Sequence, residues 1–382
     1  MRVAILGAGP AGLYLGYLLK RRNPQWEVRA FEQNAADATF GFGVVFSDRA
    51  LEFLAADDPQ THVALTPLLE TWSDITLVHR GERIAIDGVG FAAIGRLQLL
   101  EVLQRRARQA GVAIEFRRTV TNLDELADSD LVVGADGVNS LVRRTHEAAF
   151  GSRVTYLDNR FAWFGVNRAF PTLTQTFVQS PLGPFNVHHY RYAPDMSTFL
   201  VETDAETFAS AGLDRMPAEE SKAACETVFA DALEGRPLVS NNSIWRQFPQ
   251  VRNARWSHGK YVLLGDALHT AHFSIGSGTR LAMEDAIALD RALAEHKHLP
   301  DAFAAYEAAR RPVLEKIVRA ADASAEWYEQ FAAHMRLAPV DFAMSYITRS
   351  GRIGHDRLRR LAPGFMARYE RERPQAATGT PS

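Results

Sequence analysis

The chain opens with an apolar run free of polar interruption. Arg2–Leu6 (RVAIL) is a short β-branched and aliphatic segment that stops at Gly7, Ala8, Gly9, Pro10, Ala11 and Gly12. Such a run bounded by glycine predicts a strand buried on both faces. Leu13, Leu15, Tyr17, Leu18 and Leu19 then predict an apolar helix, closed by Lys20, Arg21 and Arg22 where the helix dipole favours cations. Glu27–Phe31 predicts a second strand, followed directly by Glu32. Strand, turn, helix, strand and acid is the order of a dinucleotide-binding βαβ unit.

The same alternation of short apolar runs and helical spacing recurs further on. Leu97, Leu100, Leu103 and Ala107 predict a helix over Leu97–Ala110, which Gly111 stops before a strand at Val112–Phe116. Leu131, Val132 and Val133 predict a buried strand that ends at Gly134-Ala135-Asp136-Gly137. Between about Arg160 and Phe248 the texture changes to strand-like segments, Phe161–Val166, Phe185–Tyr192 and Thr198–Thr203, punctuated by Pro171, Pro181, Pro184 and Pro194. This predicts an inserted antiparallel sheet. Tyr261–Leu264 predicts a last buried strand before Gly265 and Asp266, and a long helical stretch follows from about Gly278 to Ala332, broken near Leu299-Pro300. The expected fold class is α/β: a Rossmann-like unit with an inserted antiparallel β-sheet domain and C-terminal helices.

Composition narrows the picture. With 47% hydrophobic and 23% charged residues the 382-residue chain is an ordinary globular protein, not a disordered one. A formal net charge of −2 offers no global field for nucleic acid or an anionic membrane. Cys225 is the sole cysteine, so no intramolecular disulfide and no thiolate metal cluster can form, and its place in an amphipathic segment predicts a packed thiol. No metal site is expected, because no His, Asp and Glu set has ligand spacing. The N-terminal apolar segment is too short for a signal peptide, and no apolar run approaches the ~18 residues of a membrane span, so a cytoplasmic setting is expected.

The three glycines of the first turn have separate physical tasks. Gly7 permits the tight turn, Gly9 lets backbone N–H groups approach a pyrophosphate, and Gly12 allows close helix packing. The helix N-terminus, with Pro10 and Ala11, presents its positive end to phosphate. Glu32 lies 20 residues after Gly12, placed to accept hydrogen bonds from the hydroxyls of an adenosine ribose. A carboxylate there repels a 2′-phosphate, which favours FAD or NAD over NADP at this site.

Two further motifs bring in a family resemblance. They are Gly134-Ala135-Asp136-Gly137 with Ser140 and Arg143, and Gly265-Asp266-Ala267 with His269, Gly276 and Gly278. In this order, with a β-rich insert between them, the sequence resembles the single-component FAD-dependent aromatic hydroxylases, the group that includes p-hydroxybenzoate hydroxylase. The resemblance covers the chain up to about Ala320. It implies that the Gly7–Gly12 turn holds the FAD pyrophosphate, Glu32 the ribose, Arg96 the flavin phosphate and ribityl region, and Asp266 the ribityl chain. Asp136 is implied to serve FAD and the passing nicotinamide. The Gly276–Gly278 turn with Thr279 is implied to aim a helix N-terminus at the flavin ring, stabilising negative charge there.

Phe273 stands where the family usually has proline, and Arg280 where it often has asparagine. The segments 271–279, Gly41–Asp48 and Val187–Arg191 with Ser197–Phe199 are instead similar to a narrower subgroup: salicylyl-CoA 5-hydroxylases and the monooxygenase half of aminobenzoyl-CoA monooxygenase/reductase. The violacein-pathway tryptophan hydroxylase is similar over the same segments, so indole and free-acid hydroxylation stay open. With the chain ending at residue 382, plain hydroxylation is expected rather than dearomatising reduction. The resemblance implies NADH or NADPH and O2 as co-substrates, a flavin hydroperoxide as oxygen donor, and a monomer or homodimer. His188, Tyr190 and His272 are the catalytic candidates; Phe46, Phe273 and Ser274 are the substrate-contact candidates. The expected organisation is an FAD-binding domain over 1–158, with a substrate-side excursion near 65–92, and a β-rich substrate domain over 159–255. The FAD-binding domain resumes over 256–322, C-terminal helices follow over 323–372, and 373–382 form a disordered tail. The tail-side stretch Thr348–Arg373 carries eight arginines, of which one or two are expected to hold CoA phosphates.

Overall fold

The computed structural model describes residues 1–47 and 51–373, so Asp48 and the tail beyond Arg373 lie outside the described residues. The opening run forms a strand, Arg2–Leu6, with Val3 to Leu6 buried. It is the hub of a six-stranded sheet, pairing in parallel with Glu27–Glu32 on one side and Leu131–Gly134 on the other. Tyr261–Leu263 continues the sheet in parallel beside Leu131–Gly134, and Ala113–Phe116 lies beyond Glu27–Glu32. Because these strands run the same way, their carboxyl ends meet at one edge. The registers Leu6 with Gly134 and Leu263 with Gly134 put the three motif turns side by side there.

Close packing at that edge explains the glycines. Gly7 has φ +95° and donates its N–H to the Phe31 carbonyl at 2.8 Å. A Cβ on Gly12 would collide with the Gly7 carbonyl oxygen, so the helix Pro10–Arg22 reaches the sheet only with glycine at this position. A Cβ on Gly9 would meet nothing within 4 Å.

The insert builds a seven-stranded sheet containing Arg160–Val166, Gly183–Arg191 and Ser197–Thr203, as the alternation predicts. The pattern does not reveal Leu173–Ser180, whose Thr174, Gln175 and Thr176 are buried polar residues. Ile75–His79 and Glu82–Ile86 complete the sheet, and Ile75–His79 pairs in parallel with Leu173–Phe177. The sheet is therefore mixed, not antiparallel throughout; a strand arriving from about a hundred residues earlier joins without a hairpin to dictate its direction. Gly43–Ser47, Phe91–Gly95 and Glu70–Trp72 form a third, small sheet between the two large ones in sequence.

The helical stretch is broken at residues 296–298, between Gly278–Glu295 and Leu299–Glu329. The second of these runs 31 residues through Pro312 and does not pause at residue 322. Its end, the short helix Phe331–His334 and Pro339–Thr348 pack Trp327, Phe331 and Phe342 against Phe177 of the seven-stranded sheet. Cys225 is buried in the helix Ala218–Val228, and burial pushes its thiol up to about 12. Among the described residues no helix is long and apolar enough to cross a membrane.

The two neighbouring glycines separate fold from ligand. Gly12→Ala should destabilise the protein by about 3 kcal/mol through backbone overlap, read as a lower urea midpoint. Gly9→Ala should leave that midpoint in place and weaken flavin retention, because its Cβ enters open space in front of the helix.

Candidate active site

A cavity of about 920 Å³ begins at the glycine turn. Gly9, Pro10 and Ala11 line it with Ala135, Gly137 and Asp266, so all three motifs face one space. The helix Pro10–Arg22 starts at Gly9 without a side-chain cap, leaving its first N–H groups for a ligand. Glu32 accepts hydrogen bonds from the Ala8 N–H at 3.1 Å and from Asn34 at 2.9 and 2.8 Å. These bonds hold the carboxylate beside the turn with acceptor capacity to spare. Asp136 accepts the Leu141 N–H at 2.6 Å on one oxygen, while its other oxygen is buried without a partner. Burial pushes the Asp136 carboxyl up, against the Ser140 hydroxyl and neighbouring backbone donors. An orphan acceptor beside an uncapped helix and an open glycine cradle fits a dinucleotide with hydroxyl and phosphate groups.

The third motif is fixed by buried charge. Asp285 accepts from Gly265 N–H at 3.2 Å, His269 Nε2 at 2.7 Å and Arg310 Nε at 3.0 Å. Burial works against the Asp285 charge, but His269 and Arg310 outweigh it and hold its carboxyl below the usual range. His269 thus positions the loop that presents Asp266. Burial pushes Asp266 up, with His269 and Arg96 opposing, and burial lowers Arg96, with Asp266 opposing. The residues Gly276, Ser277, Gly278, Thr279 and Arg280 line the cavity at the uncapped start of Gly278–Glu295. FAD fits this end of the cavity: the turn would hold the pyrophosphate side, Asp136 would accept from a hydroxyl of the cofactor, Arg96 and Asp266 would hold the ribityl side, and the Gly278 helix the ring.

Beyond the Gly276 turn the cavity is walled by Phe273, Phe248, Trp163, His188 and Tyr190. Strand alternation decides which residues reach it. His188 and Tyr190 point inward, whereas His189 faces a larger cavity of about 1320 Å³ on the sheet's other side, away from the glycine motifs. Tyr190 donates its hydroxyl to the Gly43 carbonyl at 3.0 Å, and burial raises its pKa, so it acts as a wall and a tie between sheets. Phe273 and Ser274, two of the substrate-contact candidates, line the cavity.

Two expected residues lie elsewhere. Phe46 is 1% exposed and packs in the main core, because its strand turns Val45 to the cavity and Phe46 away from it. His272 is buried behind Phe273, among Phe248 and Tyr328, with Nδ1 on the Ser274 hydroxyl at 2.8 Å. The 3-10 turn Phe273–Ile275 swings Phe273 and Ser274 forward and leaves His272 as its capping residue.

The structure adds residues that sequence patterning did not single out. Gln175 binds His188 Nδ1 at 2.8 Å and accepts from the Tyr328 hydroxyl at 3.2 Å, while Tyr328 stacks on His188. Glu202 lies 3.8 Å from His188 Nε2 and accepts from Asn159 at 2.9 Å. Polar residues at inward positions of strands were the available signal: Gln175, His188 and Glu202 share one face.

Burial, followed by the Arg349 charge, pushes His188 down to about 3, and burial pushes His272 down to about 4 against the pull of Glu202. Both imidazoles are neutral in the folded protein, whereas the unfolded chain protonates them near 6.5. As pH falls from about 6.5 toward about 4, the unfolded state takes up protons that the native state does not. Stability should therefore fall by up to about 1.4 kcal/mol per pH unit per histidine. Urea midpoints should be lower at about pH 5 than at about pH 7, with part of the slope lost in His272→Asn. A flat profile across this window would show that the imidazoles are solvated.

Comparison with known proteins agrees with this geometry. The FAD binding domain family matches residues 1–321. The chain is 45% identical to a salicyloyl-CoA 5-hydroxylase of Streptomyces over 361 residues, 92% of this chain and 70% of that protein. It is 37% identical to a 3-hydroxy-4-methyl-anthranilyl-[aryl-carrier protein] 5-monooxygenase of Streptosporangium sibiricum, over 86% of this chain and 89% of the relative. It is 34% identical to the protodeoxyviolaceinate monooxygenase of Chromobacterium violaceum, over 91% and 94% of the two chains. The fold is shared with P. aeruginosa PqsL in complex with 2-aminobenzoylacetate, at TM-score 0.68 and 22% identity over 87% of this chain and 98% of that one. The glycine cradle, the orphan Asp136 oxygen and the aromatic-walled cavity thus belong to a member of the FAD binding domain family, and the protein is an FAD-dependent aromatic monooxygenase.

Proposed function

We propose that the protein hydroxylates an aromatic CoA thioester, converting salicyloyl-CoA to its 5-hydroxy (gentisyl) thioester. The ring C–H becomes C–OH with one atom of O2; the other leaves as water, and NADH or NADPH supplies the two electrons. FAD, when bound, supplies the chemistry that activates O2. The chain's own contribution is to seat the ring among Phe273, Phe248 and Trp163 and to exclude water from it.

The observation that carries this reading is the outer end of the same cavity. Of the arginines between residues 348 and 373, Arg359, Arg368 and Arg373 are paired with Asp356, Glu370, Glu82, Glu372 and Asp341. Arg352 and Arg357 are different. They are exposed, they line the cavity mouth, and neither has an ion pair among the described residues. Two cations at the mouth of a ring-sized cavity suit a substrate whose aromatic group goes in and whose phosphates stay out. Remote contacts of this kind supply binding energy that orients the ring. The 45% identity to a Streptomyces salicyloyl-CoA 5-hydroxylase supports the choice of thioester.

NAD(P)H oxidation and product formation should be faster with salicyloyl-CoA than with free salicylate or tryptophan. Faster turnover of tryptophan would favour an indole hydroxylase, and of salicylate a free-acid hydroxylase. In the Arg352→Ala, Arg357→Ala double variant, KM for the thioester should rise about ten-fold or more with kcat within about two-fold, as expected for lost phosphate contacts far from the ring.

A further inference from the structure

Four arginine environments succeed one another along the cavity. Arg96 faces Asp266, Arg280 pairs with Glu284 at 2.8 Å, and Arg352 and Arg357 sit at the mouth. Arg349 lies between these groups, lining the cavity with Gln175, His188, Phe273 and Ser274. Its guanidinium is held by neutral oxygens alone: Nε donates to the Ser324 hydroxyl at 2.9 Å, Nη1 to the Tyr346 carbonyl at 2.7 Å and Nη2 to the Ser274 carbonyl at 2.9 Å. No carboxylate among the described residues forms an ion pair with it. It stacks on Tyr346, 3.8 Å from the ring centroid, which fixes the plane of the fork.

A guanidinium has five N–H donors, so two remain after these three bonds, one on each terminal nitrogen. Such a pre-oriented fork is matched to two oxygens lying in one plane. An ortho-hydroxy aromatic thioester has that pair: the ring oxygen and the thioester carbonyl. Within the free thioester the two oxygens share the hydroxyl proton, which makes the hydroxyl hard to ionise, although ionisation is what makes the ring electron-rich enough to take up oxygen.

We propose that Arg349 is a catalytic residue that grips the ring oxygen and the thioester carbonyl and thereby holds the bound substrate as its phenolate. This deepens the thioester reading above and rests on it. On binding, the O–H bond of the ring hydroxyl breaks, its electron pair stays on oxygen opposite the guanidinium, and the proton passes to solvent through the cavity mouth. Arg349 is suited to the task by its uncharged surroundings. The groups facing it are neutral: His188 from the sheet, His272 from the Gly265 loop, Tyr328 from the long helix and Tyr346 from its own. Burial, with Arg349 contributing, holds both imidazoles in their uncharged form, and burial holds both the Tyr328 hydroxyl and the Glu202 carboxyl toward theirs. No fixed acid stands between Arg349 and a ligand oxygen to take up its charge.

The test uses the flavin-loaded protein with salicyloyl-CoA and its O-methyl ether, without NAD(P)H. Titrating the phenolate absorbance of bound salicyloyl-CoA should give an apparent pKa at least about one unit below that of the free thioester, a ten-fold shift of the ionisation. Arg349→Met should abolish that shift. It should weaken salicyloyl-CoA about ten-fold or more and the methyl ether, which cannot ionise but keeps the carbonyl contact, several-fold less. Arg349→Lys keeps the charge without the fork and should restore part of the shift. Equal pKa values for wild type and Arg349→Met, or equal loss of the phenol and the ether, would overturn the assignment and leave the thioester reading standing. Absence of any salicyloyl-CoA binding to wild type would overturn both.

Discussion

The contact between Gly12 and the Gly7 carbonyl is the point on which the nucleotide end of the molecule depends. It lets the first helix lie against the first strand, which directs the helix N-terminus along the carboxyl edge of the sheet. Parallel pairing of that strand with Leu131–Gly134, and of Leu131–Gly134 with Tyr261–Leu263, then stacks three turns from remote parts of the chain at one place. Each turn presents what it has spare: helix N–H groups, the Asp136 oxygen, the Asp266 carboxyl. The register of three strands brings them to one edge of the sheet.

The third turn has only the short 3-10 helix Gly265–Ala267 of its own, and buried charge steadies it. Asp285 is fully buried, which is costly for a carboxylate, and it persists because His269, Arg310 and the Gly265 N–H satisfy it together. Removing one partner of such a cluster leaves an uncompensated charge in the core, so the cluster has few alternative geometries. Asp266 inherits that rigidity.

The nucleotide end was legible in the sequence because its constraints are backbone constraints. Glycine is required where Cβ atoms collide, and unbroken aliphatic runs such as VAIL have few structures open to them. The substrate end was legible only in part. Phe273 and Ser274 follow from a turn that the sequence marks with glycine, but whether Phe46 or Val45 faces the cavity depends on which side of a small sheet is covered, and no local pattern records it. The same holds for His272, which caps the turn that its neighbours use. Gln175 and Glu202 escaped notice because they are polar residues at positions where strand reading expects apolar ones. Such departures from the hydrophobic pattern tend to be where a fold gives up packing for a site.

That last point connects the polar face of the seven-stranded sheet to the arginines. Tyr328 anchors Gln175, Gln175 holds His188, and Asn159 and His188 flank Glu202, whose carboxyl burial pushes up toward its neutral form, so the face is polar yet poor in charge. A wall of this kind strengthens any charge beside it, because a neutral face offers no counter-ion. The cations of the cavity therefore differ in strength by position. At the mouth, Arg352 and Arg357 are exposed and act through solvent. At the flavin end, Arg96 and Arg280 are moderated by Asp266 and Glu284. Arg349, set between neutral groups, keeps its full charge for whatever oxygen enters. One cavity thus grades from screened to unscreened positive charge along the path by which an anionic, ring-bearing substrate would arrive.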